Sequence, residues 1–143
     1  ASIFLKRGSS IYSLDYQGEV TNYNDNTSEH KEYNIVVLTN GNTASAAEIL
    51  AAALKESYGA TIVGETSFGK GKVQQTMQLD DGSMVKYTSA LWLTPNGTCI
   101  DGRGITPDYS ISNEEQKDEN GNITGISDLQ LNKAIEILNG ITN

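Results

Sequence analysis

Cysteine occurs once, at Cys99, and histidine once, at His30, in a chain of 143 residues. A single cysteine excludes an internal disulfide, and one of each excludes a zinc site built from Cys and His ligands. Positive charge is scarce: ten Lys and Arg stand against eighteen Asp and Glu, for a formal net charge of -8. A surface of that sign repels phosphate backbones and anionic lipid, so nucleic acid is not an expected partner. Long apolar runs are also missing. Ile35–Leu38 and Ile49–Leu54 are too short to cross a bilayer. Proline is limited to two residues, while 37% of residues are hydrophobic and 20% charged, the balance of an ordinary globular chain. The first residue is Ala and no signal peptide opens the chain, so a processed or excised piece of a longer protein is expected. The length suits one domain over 1–143 with a real core.

The run Asn34-Ile-Val-Val-Leu-Thr39 is continuous and β-branched, as in a strand covered on both faces. Asn40-Gly41-Asn42 supplies turn chemistry. Over Ala44–Tyr58, Ala46, Ile49, Leu50 and Ala53 recur at i, i+3, i+4, i+7, which predicts a helix burying that stripe and closed by Gly59. Thr61–Val63 reads as a second buried strand, making 35–63 a β-α-β unit. Earlier, Phe4–Lys6 and Ser10–Tyr16 look like strand fragments, and Asn22–Glu32 like a solvated loop. Later, Lys72–Leu79 alternates with period two, Asp80-Asp81-Gly82 turns the chain, and Ser83–Leu93 returns. Asn113–Asn122 reads as a polar connector. Asp128–Leu138 predicts a helix with Leu131, Ala134, Ile135 and Leu138 on one side. The class is α/β.

Three segments have the residue types of a reactive site. In Asn40-Gly-Asn-Thr-Ala-Ser45-Ala-Ala-Glu48 a buried strand turns tightly into a helix. Ser45 falls in the first turn, where free amides and the positive dipole end meet. Such a position suits a nucleophile, with the Ala46 amide holding the oxyanion. The bland alternative is a capping box, which Ser45-Ala-Ala-Glu48 also spells. Gly64-Glu-Thr-Ser-Phe-Gly69-Lys70-Gly71 nearly spells a phosphate-binding loop, but Gly71 lacks the hydroxyl for Mg²⁺ and a strand-like segment follows where a helix is needed. Ser83-Met-Val-Lys86 matches a Ser-x-x-Lys pattern. In an alternating strand, however, Ser83 points away from Lys86.

His30 lies in the polar run Ser28-Glu-His-Lys31, a poor mount for a catalytic base. A serine nucleophile here would need a lysine whose amine is uncharged, and burial favours that form. Lys55, Lys70, Lys72 and Lys86 are the candidates, and Lys70 has a glycine on each side.

Together these segments resemble the C-terminal processing peptidases, or tail-specific proteases. Val36–Leu50 resembles the family's nucleophile segment, Ile62–Gln74 its base segment, and Leu93-Thr-Pro-Asn-Gly-Thr-Cys-Ile-Asp-Gly-Arg-Gly-Ile-Thr-Pro-Asp108 its downstream strand and turn. Asp128–Leu138 resembles its closing helix. Agreement is good over 35–109 and weaker on both sides.

The resemblance implies Ser45 as nucleophile, Lys70 as general base, Gln74 as the residue orienting the lysine amine, and Ala46 as an oxyanion donor. It implies a crotonase/Clp-protease-like spiral of β-β-α units, here a partial domain, and peptide hydrolysis near protein C-termini through an acyl-enzyme. The partner is a protein or peptide substrate, with no cofactor and no metal. Homo-oligomers are compatible with it, action is extracytoplasmic, and membrane attachment would come only from other parts of the parent. Thr43 and Ala47 stand where serines are common in the family. The family's PDZ domain and its Gly-Gly segment, source of a second oxyanion donor, are not in these residues. Little or no proteolysis is therefore expected of this chain alone, since one lost donor costs about 10²–10³ in rate. The competing reading is a non-catalytic binding module on the same fold.

Overall fold

The structure is a computed structural model and describes residues 1–140. Strand β1 (Ser10–Tyr16) pairs antiparallel with β2 (Glu19–Asn24). β3 (Val36–Thr39) leads into α1 (Ala46–Ala53), whose last turn widens into a π-helical segment, Leu54–Tyr58. β4 (Thr61–Gly64), β5 (Lys72–Gln78), β6 (Met84–Leu93) and the short β7 (Tyr109–Ser110) follow. β8 (Glu114–Lys117), β9 (Ile123–Ser127) and α2 (Leu129–Leu138) complete the order.

Two sheets frame the core. One is antiparallel, in the order β2-β1-β6-β5, and the other parallel, β3-β4-β7. The expected β-α-β unit is present, with Val37 opposite Ile62 and Leu38 opposite Val63. Between the sheets lie Leu14, Ala51, Ala52, Ile62, Ala90, Trp92, Ile100 and Ile105. Alanines on α1 let it approach β1 closely, and large residues such as Trp92 (3% exposed) fill the remaining core.

Several expectations are corrected. Phe4–Lys6 forms a turn, with the Phe4 amide bonded back to the Ala1 carbonyl at 2.9 Å. β2 extends through Asn24, so the loop expected from Asn22 starts later. In α1 the buried residues are Glu48, Ala51, Ala52 and Ala53, while Leu50 is 41% exposed. The rotation of α1 is set by Glu48, which needs the interior donors described below. Asn113–Asn122 is mostly strand and turn, because β8 and β9 make a hairpin. Its residues are almost all exposed, so no apolar alternation announces it. On α2, Ala134 is buried, but Leu131, Ile135 and Leu138 are largely exposed. Polar contacts at its start orient that helix: Gln130 Nε2 donates to the Ile111 carbonyl at 2.8 Å and the Gln130 amide to Asn113 Oδ1 at 3.1 Å.

Candidate active site

The site forms at the C-terminal ends of β3 and β4. Thr39 closes β3, donating from Oγ1 to the Glu65 carbonyl at 2.9 Å and accepting the Glu65 amide at its own carbonyl. The two strand ends touch so closely that a Cβ on Gly64 would lie 2.0 Å from the Thr39 oxygen. Only glycine fits there. Asn40 then folds the chain over: its Oδ1 accepts the Asn42 amide at 2.9 Å, and its carbonyl accepts the Thr43 amide at 2.9 Å.

This turn delivers Ser45 at φ 57°, ψ -121°, a backbone state that costs a non-glycine residue about 1–3 kcal/mol. A serine on a strained strand-to-helix turn keeps its hydroxyl outside the helix, which is how nucleophile elbows present theirs. Ser45 is exposed, as are Ala46 and Ala47. The Ala46 amide donates to no carbonyl among the described residues, so it is free to meet an oxyanion.

Glu48 holds the turn. Its side chain is fully buried, and its two oxygens take four donors. Oε2 accepts the Ser45 amide at 2.9 Å and the Lys70 amide at 2.9 Å. Oε1 accepts Ser67 Oγ at 2.5 Å and the Gly69 amide at 2.7 Å. Of the pattern that Ser45-Ala-Ala-Glu48 spells, the Glu48 side chain accepts the Ser45 amide, while the Glu48 amide donates to the Ser45 carbonyl at 2.9 Å. The same carboxylate also ties the Ser45 turn to the lysine loop. The amides of Ser45 and Lys70 meet at one oxygen.

The loop around Lys70 is anchored from three other sides. The Lys70 carbonyl accepts Trp92 Nε1 at 2.9 Å, the Gly69 carbonyl accepts the Gly102 amide at 2.9 Å, and the Gly71 carbonyl accepts the Trp92 amide at 2.9 Å. Asp101 Oδ1 accepts the Gly71 amide at 3.2 Å. Ser67 Oγ accepts the Ile105 amide at 2.7 Å. Gly69 has φ +84°, and a Cβ there would sit 2.7 Å from the Gly104 nitrogen.

The side chains of the expected pair are not joined in this structure. Lys70 is exposed, and its ammonium makes no hydrogen bond or ion pair among the described residues. The burial expected for the amine is therefore not supplied by these residues. Gln74 lies on β5, also exposed and without a hydrogen-bond partner among them. The other lysine candidates have other positions. Lys55 pairs with Asp108 at 2.8 Å and donates to the Thr106 carbonyl at 3.0 Å. Lys72 pairs with Asp101 at 3.4 Å, and Lys86 stands out on β6.

His30 sits by Glu32 at 3.4 Å, in the lining of a cleft that Ser45 does not reach. Ser83 Oγ donates to Asp81 in the hairpin turn at 2.6 Å, and β5 is extended where a phosphate-binding loop needs a helix. A cleft of about 650 Å³ opens at the opposite ends of β3 and β4, beside Val36, Thr61 and Tyr58, and none of the site residues lines it.

Sequence reasoning missed the second job of Glu48, and it missed Ser67, Trp92 and Asp101. Burying an acidic residue within an alanine-rich helix was the one available signal, since a buried carboxylate demands donors.

The pattern of peptidase family S41 matches residues 1–111. The chain belongs to that family. A probable CtpA-like serine protease of Staphylococcus epidermidis is 39% identical over 115 residues, covering 78% of this chain and 23% of the relative. One from Staphylococcus aureus is 40% identical over 114 residues with the same coverage. Among solved structures, a photosystem II D1 C-terminal processing protease is similar at 38% identity and a TM-score of 0.68, over 78% of this chain and 29% of that one. A lipoprotein from Streptococcus agalactiae shares the fold at 19% identity and a TM-score of 0.70, over 99% of this chain and 48% of its own. The chain thus spans about a quarter of the length of the curated relatives it matches. Its α/β arrangement is that of the protease domain of this family.

Proposed function

We propose that this S41-family chain carries the nucleophile and base of a serine peptidase that trims proteins near their C-termini outside the cytoplasm. One observation carries the reading: a single buried carboxylate, Glu48, binds the amides of both Ser45 and Lys70, so the strained nucleophile turn and the lysine loop are built as one unit. The names of the similar proteins, CtpA-like serine protease and C-terminal processing protease, support the substrate class.

In the proposed reaction the uncharged Lys70 amine takes the proton from Ser45 Oγ as that oxygen attacks the scissile carbonyl carbon. The Ala46 amide meets the oxyanion. As the C–N bond breaks, Lys70 returns the proton to the leaving amine, and an acyl-enzyme remains. Water, deprotonated by the same amine, then releases the new C-terminal carboxylate. Gln74 is assigned to orient the lysine amine when the two side chains approach. Ala46 supplies one oxyanion donor, so the 143-residue chain by itself is expected to cleave poorly.

The test is covalent labelling of the full-length protein with a fluorophosphonate. The expected adduct maps to the peptide containing Ser45 and is lost in both S45A and K70A. A non-catalytic binding module on the same fold would leave Ser45 unmodified, and that result would overturn the peptidase reading.

A further inference from the structure

The lysine loop has two side chains that face solvent. From Ser67 to Lys70 burial alternates: Ser67 and Gly69 are inside, Phe68 and Lys70 outside. Phe68 is 63% exposed. Singly exposed apolar residues are common on protein surfaces, but this one is held where it is. All five consecutive amides from Ser67 to Gly71 donate to acceptors outside the loop. They are the Ile105 carbonyl at 3.1 Å, the Thr43 carbonyl at 2.9 Å, the two Glu48 oxygens at 2.7 and 2.9 Å, and Asp101 Oδ1 at 3.2 Å. Turning the loop so that the ring points inward would break several of these bonds. The benzyl group is fixed in water by its own backbone.

Its place is equally defined. The Phe68 amide bonds the Thr43 carbonyl, two residues before Ser45, so the ring stands at the rim of the nucleophile turn. The rest of that rim on α1 is small and apolar: Ala46 and Ala47 are exposed, and Leu50, one turn on, is 41% exposed.

We propose that Phe68 is a specificity-determining residue that packs against an apolar side chain on the substrate residue just after the scissile bond. The side is set by Lys70: it protonates the leaving amine, and Phe68 is two residues away on the same clamped loop. The inference rests on the peptidase reading of Ser45 and Lys70. Covering the exposed ring and the substrate side chain together removes apolar surface from water, and the contact is lost when the substrate residue is polar.

The experiment uses full-length wild-type, F68A and F68L proteins and two peptides that differ only after the scissile bond, one with Leu and one with Ser. Wild type is expected to favour the Leu peptide about tenfold in kcat/KM, F68A to bring the ratio to near one, and F68L to keep most of it. Fluorophosphonate labelling of Ser45 is run on all three. If wild type does not label, the peptidase reading falls and this inference falls with it. If all three label and F68A keeps the wild-type ratio, this inference alone is overturned. A lower stability of F68A with unchanged selectivity has the same meaning, because the ring is then covered by another part of the protein.

Discussion

Ser45 stays in a backbone state that serine ordinarily avoids because its amide has a partner that cannot move. Glu48 is fully buried and its carboxylate faces four donors and, among the described residues, no cation. Changing one carboxylate oxygen to an NH2 group sets donor against donor on that side, and desolvated donors left without acceptors cost about 1–3 kcal/mol each. E48Q is therefore expected to lose about 2–4 kcal/mol in urea unfolding and to abolish fluorophosphonate labelling of Ser45 in the full-length protein. Wild-type stability together with wild-type labelling in E48Q would show that the carboxylate does not hold the turn. Half of this was legible beforehand. The spacing from Ser45 to Glu48 is local and spells a cap, whereas the bonds to Ser67, Gly69 and Lys70 span 19 to 22 residues. Spacing on one helix carries no information about a loop that reaches it from another strand.

Elements built from apolar runs and turn residues read correctly, because both signals are local. β3, the Asn40 turn, α1 and β4 came out in the expected order and pairing. In three of the misread elements polar residues set the geometry. β8 and β9 pair in an exposed hairpin whose turn Asp118 nucleates by accepting the Asn120 and Asn122 amides, both at 2.9 Å. The faces of α1 and α2 follow Glu48 and Gln130 as well as their apolar stripes, of which Ala53 and Ala134 are buried and Leu50, Leu131, Ile135 and Leu138 are not.

The lysine loop offers a controlled test of geometry at this scale. Gly69 and Gly82 both have φ +84°, yet a Cβ meets the Gly104 nitrogen at 2.7 Å in the first case and nothing within 4 Å in the second. Alanine in a left-handed conformation costs about 1–2 kcal/mol by itself. G82A should lose about that much and still label at Ser45. G69A should lose more, because the backbone must shift, and, on the proposed pairing of Lys70 with Ser45, it should no longer label at Ser45. Equal stability and equal labelling of the two variants would mean that the close packing of loop 67–71 against 100–104 does not position the base.

For the molecule as a whole, an excess of eight negative charges leaves few cations to hold distant segments together, and Lys55 does so through Asp108. Its ammonium lies 2.8 Å from Asp108 Oδ1, while Asp108 Oδ2 accepts the Ile62 amide at 2.8 Å. The π-helical segment after α1, the start of β4 and the chain leading to β7 are thus joined at one carboxylate. Burial pushes the Asp108 carboxyl upward, but the Ile62 amide and the Lys55 ammonium outweigh it, and the group titrates below the ordinary Asp value. A carboxyl that is more acidic when folded stabilises the protein above its unfolded pKa, about 3.9, and that contribution disappears as pH falls through the folded value. D108N keeps an acceptor for the Ile62 amide and removes the charge. Both partners are partly exposed, 29% and 38% by side chain, so solvent screening limits the loss to about 1 kcal/mol at pH 7. The gap between wild type and D108N in urea unfolding should close between pH 5 and pH 2, where the wild-type carboxyl also becomes neutral. Relief of general negative repulsion on acidification acts on both proteins nearly alike, so it cancels in the difference. A gap of constant size across that range would assign the effect of D108N to altered packing rather than to the ion pair.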